Sequence, residues 1–189
     1  MTLKDELYTI RHLAEGEPPT LPGGMYASAK DGKDKPLTAE PLGPDSKIRL
    51  RMFVNDYKEF KEKWGVRWSL IHWCWQWVVA CVPSKDGEYT ITEFWDDNSI
   101  PGLWAREINA PDRPVWLIDR LKVDMYTLKL RIQEAEEPGV YDIMGDFRIG
   151  ASDWTDLRHP AGGVKPEVLL RSVPVVPGMY IPRWVFAKA

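Results

Sequence analysis

The chain is poor in the residues that build reactive centres: two cysteines and three histidines among 189 residues. Cys74 and Cys81 would stand about 23 Å apart on a strand and about 10 Å apart on a helix, both beyond disulfide reach. Both are expected as free thiols, which favours a reducing compartment. His72 and Cys74 share one strand face, but a metal site needs three or four ligands and His12 and His159 lie far along the chain. No metal and no cofactor are expected. Asp96, Asp97 and Asn98, and the group Asp142, Asp146, Asp153 and Asp156, have the oxygen chemistry of a calcium loop, yet Asp and Asn are also ordinary turn formers. Gly-x-Ser-x-Gly, His-Glu-x-x-His and a phosphate-cradling glycine loop are all missing. The expectation is a chain that is not an enzyme.

A basic excess is missing too. The net charge of −3 arises within residues 1–46, which hold five Lys/Arg and eight Asp/Glu; the remainder carries twenty of each. That balance gives no electrostatic footprint for nucleic acid. The alternating Lys47, Arg49 and Arg51 read as a solvated strand face. No apolar run reaches the roughly 18–20 residues of a spanning helix, so no transmembrane span is expected. Met1–Leu13 carries Lys4, Asp5 and Glu6 without an apolar core, unlike a secretory signal. Assembly in the cytoplasm is expected, with the location otherwise open.

What is abundant is tryptophan, with ten copies, beside sixteen prolines and fourteen glycines. Leu3, Leu7, Ile10 and Ala14 fall on one stripe and predict an N-terminal helix over 2–14, opened by Thr2 and Asp5 and closed by Gly16 and Pro18-Pro19. Residues 17–46 read as a Pro/Gly-rich irregular arm, which keeps a fixed course only when pinned along a surface. From Lys47 the period becomes two: Ile48, Leu50, Met52 and Val54 predict a strand, followed by a short helix carrying Tyr57, Phe60 and Trp64. The turn "PSKDG" joins the Trp-rich segment to "EYTITEFW" as a hairpin. Further strands are expected at 114–119 and 121–133, with a parity shift at Met125–Tyr126. Tyr141 follows a Pro-Gly turn and resembles a Greek-key tyrosine corner. Ser152–Arg158 suits one helical turn. Val168–Val176 and Met179–Phe186 are expected as edge strands, because Pro174, Pro177 and Pro182 cannot donate to a ladder. No internal repeat is visible.

Within "WCWQWVVAC", Trp73, Trp75 and Trp77 share one face of a strand with Val79 and Cys81. A continuous aromatic wall is more consistent with a core than with an exposed platform. The fold expected is an antiparallel β-sandwich, jelly-roll-like and Greek-key, over 47–189, with a helix and long arm over 1–46 and an extended segment over about 168–189. The function expected is a non-catalytic structural or assembly subunit, a virion component or accessory subunit of a large complex. It would contact other protein subunits through Leu3, Leu7, Ile10, Tyr26, Met179, Tyr180 and Trp184. The alternative is a carbohydrate-binding module using Trp73, Trp75, Trp77, Trp95 and Trp104. A third reading is a β-sandwich enzyme with an acidic site.

Overall fold

The structure is a computed structural model that describes residues 3–4, 6–21, 23–29, 31–42, 76–81, 87–93, 102–107, 112–119, 126–127, 130–148, 151–174 and 176–188. Among these residues there are fifteen strands and no helix. In chain order they are β1 (Glu6–Leu13), β2 (Met25–Ser28), β3 (Lys35–Pro36), β4 (Thr38–Pro41) and β5 (Gln76–Cys81). Next come β6 (Glu88–Glu93), β7 (Gly102–Glu107), β8 (Arg113–Pro114), β9 (Trp116–Asp119) and β10 (Tyr126–Thr127). The last are β11 (Leu130–Glu134), β12 (Val140–Arg148), β13 (Ala151–Arg158), β14 (Glu167–Pro174) and β15 (Arg183–Lys188).

Six strands close on themselves. β1 pairs with β5, β5 with β6, β6 with β11, β11 with β12, β12 with β15, and β15 returns to β1, every step antiparallel. A closed ring removes the exposed edges that an open sheet must protect. The pairs β2–β4, β7–β9 and β13–β14 continue outward from β1, β6 and β12. They meet through three buried backbone groups: Leu37 N donates to the Val115 carbonyl (2.7 Å), Val115 N to Val168 (2.8 Å) and Val168 N back to Leu37 (2.8 Å). Each residue gives and receives one bond, so the ring leaves none of those amides unpaired. Pro36, Pro114 and Pro166 lie one or two residues before the three members. The molecule thus repeats a feature three times that unequal spacing conceals in the sequence.

Trp77, Trp104 and Trp184 are completely buried. Trp77 and Trp104 meet edge to face at 5.3 Å, Trp104 and Trp184 at 6.3 Å. The Trp77 indole N–H donates to the Ala27 carbonyl (3.2 Å) and that of Trp184 to Thr155 (3.0 Å).

Several expectations are corrected here. The N-terminal segment is the strand β1, not a helix. Tyr8, Thr9, Ile10 and Arg11 are all buried, so both faces of β1 are covered and the alternation that marks a half-exposed strand is erased. The barrel ring replaces the sandwich or jelly-roll. Met25–Ser28, Lys35–Pro36 and Thr38–Pro41 of the expected arm form β2, β3 and β4 within the sheet. Ser152–Arg158 belongs to β13 rather than a helical turn. The last strand starts at Arg183, and β15 has a neighbour on each side, so it is no edge; Pro182 stands just ahead of it and costs no ladder donor. The hairpin after the Trp-rich segment is observed as β5 and β6. The strand and short helix expected over 47–65 lie outside the described residues.

Candidate functional site

Between β1 and β2 the chain leaves the sheet as a loop, described over 14–21 and 23–24. Its first turn is closed by Glu17 N donating to the Ala14 carbonyl (3.0 Å), its second by Leu21 N donating to Pro18 (3.2 Å). The loop is held from below by Arg11, whose side chain is only 4% exposed. One guanidinium nitrogen donates to Glu17 Oε1 (2.9 Å) and the other to the Pro19 carbonyl (2.8 Å). Glu17 Oε2 in turn accepts from Ala14 N (3.1 Å). A buried cation thus ties both turns to the strand that precedes them, and charge-assisted bonds of this kind are the stronger class. Gly23 and Gly24 have φ of 119° and 88°, a region that residues with a Cβ rarely enter. A Cβ at Gly24 would also press on the Arg11 guanidinium at 3.3 Å. Leu21 stands 49% exposed on this fixed loop.

A second segment, 176–182, runs beside the first. Met179 N donates to the Val176 carbonyl (3.2 Å), with Pro177 and Gly178 (φ 80°) at the turn's centre. That sequence and geometry make a type II turn. The Tyr180 hydroxyl donates to the Leu13 carbonyl (3.0 Å), joining this segment to the foot of the first loop. Burial, and then the nearby Asp156 charge, push the Tyr180 hydroxyl up to about 12, so it remains a donor. Between the segments lies a groove of about 450 Å³, walled by Leu13–Pro18 on one side and Met179, Tyr180, Ile181 and Arg183 on the other.

Asp156, whose charge acts on Tyr180, binds His12 Nε2 (3.1 Å), Leu157 N (2.8 Å) and Arg171 (3.2 Å). Burial raises the Asp156 carboxyl, but its bonds to His12, the Leu157 amide and Arg171, with the charge of His12, outweigh this and hold it below its ordinary value. It therefore contributes stability above pH 3.8 that is lost on further acidification. Asp142 behaves oppositely. Burial pushes its carboxyl from 3.8 up to about 6 against the pull of Arg183, 3.7 Å away. Folding favours its protonated form, so its contribution is complete below pH 3.8 and lost as pH rises through about 6. Asp142→Asn is expected to flatten the melting-temperature profile across that window, and profiles running parallel to wild type would contradict this.

Among the described residues no group of three or more His, Cys, Asp or Glu is placed to hold a metal ion. Leu3, Ile10 and Trp184 are buried in the core, as are Trp77 and Trp104; Leu7 and Tyr26 are half-buried on β1 and β2. Met179 and Tyr180 are brought together at the groove. Trp73, Trp75 and Trp95 lie outside the described residues, as do His72 and Cys74. Sequence reasoning missed Arg11, Glu17, Leu21 and the Gly23-Gly24 pair. The glycine pair was the available signal, since adjacent glycines mark backbone that side chains would obstruct; nothing along the sequence singled out Arg11.

No protein-family model matches the chain. Two proteins of Macrolepiota procera are similar to it over essentially their whole length. Macrocypin-5a is 49% identical over 192 residues, spanning 100% of this chain and 99% of its own. Macrocypin-1a is 47% identical over 190 residues, spanning 97% and 96%. Macrocypins are mushroom cysteine protease inhibitors, not enzymes. The chain is accordingly non-catalytic, as expected, but the other functional expectations are overturned. A structural or virion subunit, an accessory subunit built into an oligomer and a carbohydrate-binding module all give way to this kinship. With near-half identity end to end, the chain belongs to the macrocypin family.

Proposed function

We propose that this chain is a protein inhibitor of cysteine proteases and that it presents the loop over 14–24 to the enzyme's cleft. The observation that carries the reading is the buried Arg11 clamp on Glu17 and Pro19. A loop fixed before binding avoids the ordering cost that a flexible one incurs on association. Proteolysis needs a chain that can straighten across the catalytic group. Here the backbone turns left-handed at Gly23 and Gly24 and is tied at two earlier points, so it resists being drawn out as substrate. The bare glycines let main chain approach the cleft wall closely, and Leu21 offers an apolar anchor.

The frame that holds this loop is, in the same proposal, a β-trefoil. Support comes from the six-stranded ring, the three outer strand pairs and the cyclic bonds among Leu37, Val115 and Val168. Titrating the purified chain against a panel of cysteine proteases with a peptide substrate tests the function. Saturable, reversible inhibition at about nanomolar concentration is the expected result, and full protease activity across the panel at micromolar chain sinks the proposal.

A further inference from the structure

The described residues expose four large apolar side chains, Leu21, Val164, Val176 and Met179. Three of the four stand on the two segments that the Tyr180–Leu13 bond joins. Scattered exposed apolar residues carry no message, but a concentration on neighbouring rigid turns marks a contact surface. Val176 and Met179 are the first and last residues of the type II turn, whose backbone is fixed by Pro177 and Gly178. The backbone that carries them does not have to be ordered when a partner arrives.

The groove beside them has a definite charge. Glu15 and Glu137 line it as exposed carboxylates. Its cation, Arg183, faces Asp142 at 3.7 Å and is largely offset by it. An occupant must therefore bring apolar surface and positive charge together.

We infer that the Val176–Met179 turn is a second contact for the protease, and that the groove receives an apolar side chain flanked by lysine or arginine from the rim of the enzyme's cleft. This rests on the inhibitor reading and extends it from one loop to two. The occupant is assigned to the same enzyme because the Tyr180 hydroxyl holds the groove's far wall onto the foot of the first loop. A partner seated on 14–24 thus borders the groove directly. The turn becomes the specificity element: proteases with a basic, apolar rim are held longer than those with an acidic one.

Two variants test this in the full chain against a protease that the wild type inhibits. Val176→Ser with Met179→Ser should raise the inhibition constant about 10-fold, mostly through faster dissociation, with the melting temperature unchanged because both side chains are exposed. Glu15→Lys with Glu137→Lys should slow association several-fold at low salt, and the deficit should shrink as salt is added. Wild-type constants for both variants overturn the second contact and leave the first loop's role intact. Absence of inhibition by the wild type itself overturns both readings.

Discussion

Arg11→Met is expected to raise the inhibition constant by about 100-fold and to turn the loop over 14–24 into a cleavage site for the enzyme it blocks. The substitution keeps a long side chain on β1 but removes both bonds that reach the loop, to Glu17 Oε1 and to the Pro19 carbonyl. Hydrogen bonds involving a charged group contribute roughly 1.5–3 kcal/mol each. Losing both exceeds the ~2.7 kcal/mol that a 100-fold change represents, even after the Glu17 carboxylate relaxes into water. The two effects share one cause. A loop that must be ordered on binding associates less favourably, and one that can straighten is a substrate. Inhibition assays and mass spectrometry of the complex over hours read the two separately. Arg11→Lys should recover little, since one ammonium does not reproduce a planar fork that spans two acceptors. An unchanged constant with an uncut loop would remove Arg11 from the mechanism.

Trp77→Ala is expected to lower the free energy of unfolding by about 4 kcal/mol, within the range for deleting a buried aromatic side chain. For a chain of this length that corresponds to a fall of roughly 10 °C or more in melting temperature. Trp77 is fully buried, meets Trp104 edge to face and donates its indole N–H to Ala27. Alanine leaves a cavity beside Trp104 and strands a buried carbonyl acceptor on β2. Trp77→Phe keeps most of the packing and loses the bond, so its cost should be about 1–2 kcal/mol. Calorimetry of the three proteins checks the order. A near-wild-type midpoint for the alanine variant would show that the ring is not closed around this side chain.

The strands around "PSKDG" were readable because turn chemistry and period two coincide there, and β6 alternates half-buried and buried residues along its whole length. β1 was not readable in that way. Its four consecutive buried residues include an arginine and a threonine, and a strand enclosed on both faces has no solvent face to supply the period. Leu3, Leu7, Ile10 and Ala14 then fit a helical stripe by accident of spacing. The glycine pair at 23–24 was visible as a turn signal. Its partner, Arg11, was not, because a cation buried beneath a loop looks in sequence like any surface arginine.

The sequence by itself determined that this chain is mainly β, rich in turns, electrically balanced over most of its length and without the motifs of an enzyme. Those properties depend on composition and on neighbours along the chain. Only the tertiary structure decided that the strands close into a ring, since closure depends on β6 meeting β11 and β15 meeting β1, pairings between distant segments. Only it turned Tyr180 and Leu13, which are far apart in sequence, into the two sides of one groove. A loop's rigidity is likewise a tertiary property: the same glycines and prolines make a loose linker or a fixed prong, according to whether a buried charge such as that of Arg11 holds them.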